Sequence, residues 1–567
     1  MFSLNWRALF TALPLAFLVG CISAGTEDSR GGGGSTARVN LQASYEKQVL
    51  TGVGYGGVVN TPARYAYAEL RRASNNELLA QGYLGSDGTG YADVPAGSSV
   101  YARIFAAYEI PVTSGSGFFA RGSVVNSSYY ATTPFEQTSD WYVDSANFTA
   151  NAPGTLSVKA LTSNRIAGAF NIADQAVSFA LRVRDLEPTL RLPNLHTYWT
   201  TSSNPNDQTR SYPVVLTNAS GQPYKMNSGR AVFTHAVYGN ASGAAWSEQD
   251  EWDDGTLGET FAHLLFANYS YQSDGSSALS LLRLDNENTY VSRYRPTEPS
   301  ISFAAGFCDF FAAAATGNPV LLDSYRDGSG AFAVEAFDLR LHNQIDSGLR
   351  SEFTRGSVAV SLWGIYQNTL GGSGSGLSTL WAAVRSNNAL ADGTGDFNGA
   401  AIACYPTYLT GLKARAASSW SSIVSQLGNE SIPEPNTTYF GSTDLWTAVL
   451  VPSGTQTGAL RSYAASDYRF YDYAPWTPNY TQSLNYRFTL TGSRSVTVTM
   501  TPLDGQDFQL DVLGPQGWFA SSYKSPFGSP RSLNLGNLGA GTYVVRVRAN
   551  PDAPSTNGTY RFNLVIN

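Results

Sequence analysis

The stretch that decides how the chain is read runs Trp246-Ser-Glu-Gln-Asp-Glu-Trp-Asp-Asp-Gly255, then Thr256-Leu257, then Gly258-Glu-Thr-Phe-Ala-His-Leu-Leu-Phe266. Leu257, Phe261, Leu264 and Leu265 recur at three- and four-residue spacing, which predicts an amphipathic helix over residues 257–268. Glu259 and His263 are four residues apart and share one face of that helix. The acidic run before it reads as a solvated lead-in. Its oxygens are rich enough for Ca²⁺, but the spacing is not that of an EF-hand loop.

More helices are expected around it. Ile166, Phe170, Ala173, Val177 and Leu181 mark one. Residues 303–315, 357–366, the surroundings of Tyr408 and Leu409, and residues 416–427 mark others. The run Gly372-Ser-Gly-Ser-Gly376 reads as a glycine-rich loop. On either side of this helical middle the pattern has period two. Tyr65–Leu70, Gly90–Gly97 and Val100–Ile104 are strand-like on the N-terminal side, with a turn at Gly85-Ser-Asp-Gly88. Val496–Met500, Phe508–Val512 and Tyr543–Arg548 are strand-like on the C-terminal side. The expected fold class is therefore multidomain: an N-terminal β-sandwich, a central mainly helical (α+β) domain and a C-terminal β-sandwich.

With 567 residues, several cores are expected. Only 14% of residues are charged and the net charge is −7, so nothing electrostatic favours nucleic acid. The first residues carry one basic side chain, Arg7, then an apolar run over residues 9–19, shorter than a membrane span. It closes on Leu18-Val-Gly-Cys21, which resembles a bacterial lipobox. That resemblance implies a signal peptide over residues 1–20, a lipid (palmitate-type) anchor on Cys21 and a flexible tether over residues 21–38. No Asp follows Cys21, which by the same resemblance implies sorting to the outer membrane, facing the periplasm or the cell surface. Cys308 and Cys404 are then a disulfide candidate or two buried thiols.

Three further resemblances carry the domain reading. Residues 39–150 resemble carboxypeptidase-regulatory-like β-sandwiches, through the Asp87-Gly88 turn and Val94-Pro-Ala-Gly97. Residues 486–567 resemble the bacterial pre-peptidase C-terminal domain, through Leu510-Asp-Val512, Gly514-Pro515 and Ala540-Gly-Thr-Tyr-Val-Val-Arg-Val547. Residues 432–485 connect it to the middle. The middle, residues 151–431, resembles a gluzincin-type metallopeptidase domain of bacterial envelope proteins. In that family an acidic lead-in precedes His-Glu-x-x-His, a later helix reads Glu-Gly-Phe, and a segment F-x-E-G-S-V follows. Here the matching stretches read Glu259-Thr-Phe-Ala-His263, Ala305-Gly-Phe307 and Phe353-Thr-Arg-Gly-Ser-Val358.

A zinc peptidase needs two imidazoles one turn apart, a carboxylate as general base and a third ligand. By the resemblance the first histidine is Glu259, the base is Thr260 and the third ligand is Ala305; His263 alone survives. The implied domain is a pseudoenzyme, serving as a binding or structural module without zinc or any other cofactor. Its implied partners are the membrane, through the lipid, and a peptide, protein or glycan of the envelope. Two alternatives stay open: an active zinc metallopeptidase using Glu259, His263 and Asp309, and a purely structural or adhesion-type surface protein.

Overall fold

The computed structural model describes residues 20–21, 23–24, 35–126, 140–201, 210–217, 223–232, 235–239, 245–270, 293–294, 299–326, 332–352, 354–386, 405–434, 455–462, 484–505, 508–514, 517–522, 528–549 and 558–567. The leader, most of the tether, most of the connecting segment and Cys404 lie outside these residues, as does the side chain of Cys21. Two compact units are present. One is Met1–Glu46, Asn60–Glu109 and Trp141–Phe170; the other is Lys47–Val59, Ile110–Asp140 and Asn171–Asn567.

The first unit is built from strands. Thr36–Gln42 runs antiparallel to Thr89–Pro95, and Val39–Tyr45 pairs in parallel with Gly154–Ala160. Ala66–Arg72 lies between Leu78–Tyr83 and the strand that begins at Ser99. The period-two pattern is met residue by residue. Ala37, Val39, Leu41, Ala43 and Tyr45 are buried, as are Val100, Ala102, Ile104 and Ala106, with their neighbours turned outward.

The second unit holds the helices. They are α1 (Ala167–Leu186, whose first turn belongs to the first unit), α2 (Asp254–Ser270), α3 (Pro299–Thr316), α4 (Arg355–Gly364), α5 (Gly374–Ser386), α6 (Tyr405–Arg415) and α7 (Trp420–Asn429). Helix α3 is the hub, packing on α2, α4 and α6. Its sequence explains this: Phe303, Phe307, Cys308, Phe310 and Phe311 are buried, as are Ala304, Ala305, Ala312, Ala313 and Ala314. A helix that is apolar all round has no solvent face. Phe303 stacks on Tyr405 at 6.0 Å, and Phe311 meets Trp381 at 5.2 Å. Asp309 is the single charged residue of α3 and is wholly buried.

Helix α5 departs from the sequence expectation. The Gly-Ser run does not stay a loop; the helix starts at Gly374 within it. Leu377, Leu380, Trp381 and Val384 lie on one buried face, and their burial outweighs the weak helix propensity of the first residues.

The C-terminal region has two antiparallel four-stranded sheets. One orders Thr455–Ser462, Gly558–Ile566, Arg494–Pro502 and Arg531–Leu538; the other orders Leu484–Leu490, Gly541–Ala549, Phe508–Gly514 and Gly517–Ser522. Val498 and Met500 of the first share one buried cluster with Phe488, Leu510, Val512 and Val545 of the second. Among the described residues no helix is long and apolar enough to cross a membrane.

Candidate functional site

The residues singled out on α2 and α3 come together, and two arginines come with them. Glu259 is on the second turn of α2. His263 follows one turn later, its Nε2 3.5 Å from Glu259 Oε1. Thr260 is buried and donates its hydroxyl to the Thr256 carbonyl at 2.8 Å, so it is spent within its own helix. Ala305 is buried on α3, one turn before Asp309.

Arg355, the first residue of α4, forks onto Asp309. Its Nε lies 2.7 Å from Oδ2 and its Nη2 2.7 Å from Oδ1. The same Nη2 lies 2.5 Å from Glu259 Oε2. Arg293 adds a second guanidinium. It donates to both oxygens of Asp309 at 3.3 Å, to Glu259 Oε2 at 3.2 Å and to Glu335 Oε1 at 3.2 Å. Tyr294 donates to the same Glu335 oxygen at 3.2 Å. Both arginines are about 4% exposed, so these are desolvated, charge-assisted contacts.

Two glycines make this approach geometrically possible. A Cβ on Gly306 of α3 would meet the Arg355 carbonyl at 2.6 Å and Val358 at 2.7 Å, so only glycine lets α3 and the start of α4 touch. A Cβ on Gly356 would collide with the Arg293 carbonyl, to which the Gly356 amide donates at 3.0 Å. Gly306 and Gly356 thus fix the backbones that carry both guanidinium groups.

The electrostatics follow. Burial alone would raise the Glu259 carboxyl, but Arg355 first, then the His263 hydrogen bond and Arg293, hold it well below the usual carboxylate range. Arg355 is pulled the other way: burial disfavours its charge, and Asp309 and Glu259 raise it above its ordinary value. Among the described residues, the His263 imidazole and the carboxylates of Glu259, Asp309 and Glu335 are therefore present, but the carboxylates already spend their charge on guanidinium groups. A cation placed among them would face two fixed positive charges.

The acidic lead-in is not solvated. Asp250, Glu251 and Asp253 are 1%, 2% and 0% exposed. Buried polar groups persist when they are bonded, and partners are supplied here from several elements. Trp199 Nε1 donates to Glu251 Oε2 at 3.3 Å, and Asn171 Nδ2 donates to the Glu251 carbonyl at 2.6 Å. Asp253 Oδ2 accepts from the Ser324 amide at 2.6 Å and its hydroxyl at 2.7 Å. Tyr55 Oη is 2.8 Å from Ser324 Oγ and 3.3 Å from the Gln249 carbonyl. Outside this buried set, Lys47 pairs with Asp254 at 2.5 Å.

Sequence reasoning missed Arg293, Glu335 and Tyr55. No motif marks them, and they come from three separate parts of the chain. Arg355 was visible only as the letter standing where the family pattern has Glu. Of the remaining histidines, His342 Nδ1 lies 2.8 Å from Glu430 Oε1, and burial raises that carboxyl. Cys308 is buried on α3.

No family model matches the chain, and no curated protein matches it. Among solved structures, the pre-peptidase C-terminal domain of collagenase from Bacillus anthracis aligns with 22% of this chain and 96% of its own, at 13% identity and a TM-score of 0.15. PliG of Aeromonas hydrophila, a periplasmic inhibitor of g-type lysozyme, aligns with 22% of this chain and 99% of its own, at 14% identity and 0.14. A Paenibacillus sp. cycloisomaltooligosaccharide glucanotransferase aligns with 92% of this chain and 72% of its own, at 9% identity and 0.12. At these scores the likenesses carry no argument about function.

Proposed function

We propose that the chain is an outer-membrane-anchored envelope lipoprotein whose helical middle is a gluzincin-like domain without catalysis, acting as a binding or structural module between two β-sandwiches. The two sandwiches are read as carboxypeptidase-regulatory-like at residues 39–150 and pre-peptidase C-terminal-like at residues 486–567.

One observation carries the non-catalytic reading. Arg355 holds Asp309 by a bidentate fork and Glu259 by the same guanidinium. Position 355 is where the resembled family has a glutamate and position 259 is where it has a zinc histidine. Ligand and neighbour have exchanged chemistry: an acid stands for a metal-binding imidazole, and a base stands for an acid. The resulting charge pair closes on itself. A catalytic zinc needs three protein ligands and a position open to water, and here the His263 imidazole leans on Glu259. Thr260, at the position of the general base, has no proton-accepting state near neutral pH.

The test is a peptidase assay on casein and on a mixed peptide library, run on the purified chain with added zinc. No cleavage above that of the His263→Ala variant is expected. Cleavage that disappears in that variant overturns the reading. The anchor has its own test. Cys21→Ser is expected to release the protein from the membrane fraction, and unchanged fractionation refutes lipidation.

A further inference from the structure

We infer that Asp250, Asp253 and Asp323 form a binding site for a hard divalent cation of the Ca²⁺ class, at the junction between the lead-in to α2 and the strand Val320–Arg326. One oxygen from each carboxyl lies within 4.8 Å of the others. An ion held about 2.4 Å from each oxygen spaces opposite ligands about 4.8 Å apart, so the three oxygens fit one coordination sphere.

The second observation is Asp253 itself. The residue is 0% exposed. Its Oδ2 takes both Ser324 donors, while its Oδ1 is buried with no hydrogen-bond partner among the described residues. A buried carboxylate oxygen is not left without a donor or a cation at no cost. Its neighbours Asp250 and Asp323 bring further carboxylate oxygens to the same spot rather than donors. The arginines that neutralise Glu259 and Asp309 do not resolve this. The bonded partners of Arg293 are Glu259, Asp309 and Glu335. Lys47 is taken by Asp254.

The donors are all oxygen. Among the described residues no thiol or imidazole belongs to the cluster, which selects Ca²⁺-class ions over zinc. Thr256 Oγ1 of α2 donates to Asp323 Oδ1 at 3.2 Å, and Tyr55 reaches the group through Ser324. Such contacts hold the ligating carboxyls in place. A bound ion would tie the start of α2 to the strand, fixing the helix that carries Glu259 and His263. The inference rests on different side chains from the reading of the zinc-like position and stands or falls separately.

The test uses the full-length protein in detergent, stripped with a chelator. Ca²⁺ is then titrated by calorimetry, and Tb³⁺ luminescence is excited through Trp252 and Tyr55. One Ca²⁺ per chain is expected, with Tb³⁺ emission that Ca²⁺ displaces and a higher unfolding midpoint in Ca²⁺ than in chelator. Asp253→Asn and Asp323→Asn are each expected to weaken binding by at least about tenfold, while Glu77→Gln at the surface leaves it unchanged. Wild type that takes up no Ca²⁺ and whose midpoint ignores it overturns the inference. So does an Asp253→Asn protein more stable than wild type in Ca²⁺, which would mean that the cluster is relieved by a proton alone. If neither variant folds, the wild-type stoichiometry and midpoint shift decide.

Discussion

Two acidic clusters meet the same helix and are resolved differently. Glu259 and Asp309 are closed by two guanidinium groups, each bonded to both carboxyls. Asp250, Asp253 and Asp323 gather as well, yet the buried Asp253 Oδ1 has no hydrogen-bond partner among the described residues. The first cluster carries its counter-charge within the chain; the second calls for one from outside. Buried like charges force a choice among an internal cation, an external ion and a proton. The difference lies in reach. The glycine contacts at 306 and 356 bring Arg293 and Arg355 to the first cluster and leave them committed there.

The comparison can be broken most directly at Arg355. Arg355→Ala leaves Asp309 buried with half its partners and is expected to cost about 3–5 kcal/mol in denaturant unfolding. Pairing Arg355→Met with Asp309→Leu should recover most of that loss, since an apolar replacement removes both the charge and its desolvation. A double variant as unstable as the single one would show that the fork does more than neutralise a buried acid. Smaller is the effect of removing Ca²⁺, which should lower the midpoint of wild type and leave Asp253→Asn insensitive.

The Glu259 contribution has a pH signature. Its folded value lies below the ordinary 4.5, so its stabilisation is present above that value and is lost as pH falls through the folded value. Glu259→Gln should therefore be less stable than wild type at about pH 6, and the gap should narrow by about pH 3. A gap independent of pH would assign the loss to packing. The smallest effect is expected at His263→Ala, about 0.5–1 kcal/mol, because its Nε2 stands 3.5 Å from Glu259 and Arg355 does most of the holding.

Much of the scaffold was legible because burial is periodic. Of the residues at three- and four-residue spacing, Phe170, Ala173, Val177 and Leu181 lie in α1, which starts one residue after Ile166, and Val496 to Met500 alternates into the C-terminal core. The acidic run was misjudged because hydrophilic letters read as solvated. Its burial depends on Trp199, Asn171 and Ser324, which lie far away in sequence. Helix α5 was hidden by its glycine-rich first turn. The candidate site was half legible. Glu259, His263 and Asp309 share helix faces that spacing reveals, whereas Arg293 and Glu335 arrive through tertiary packing that no local pattern encodes.

The central claim is that guanidinium groups stand where a zinc site would need vacant coordination. It is tested most directly by metal analysis of the purified chain after equilibration with zinc and removal of loosely held ions. The account predicts far less than one zinc per chain, unchanged by His263→Ala. One tightly held zinc per chain, lost in that variant, would contradict it.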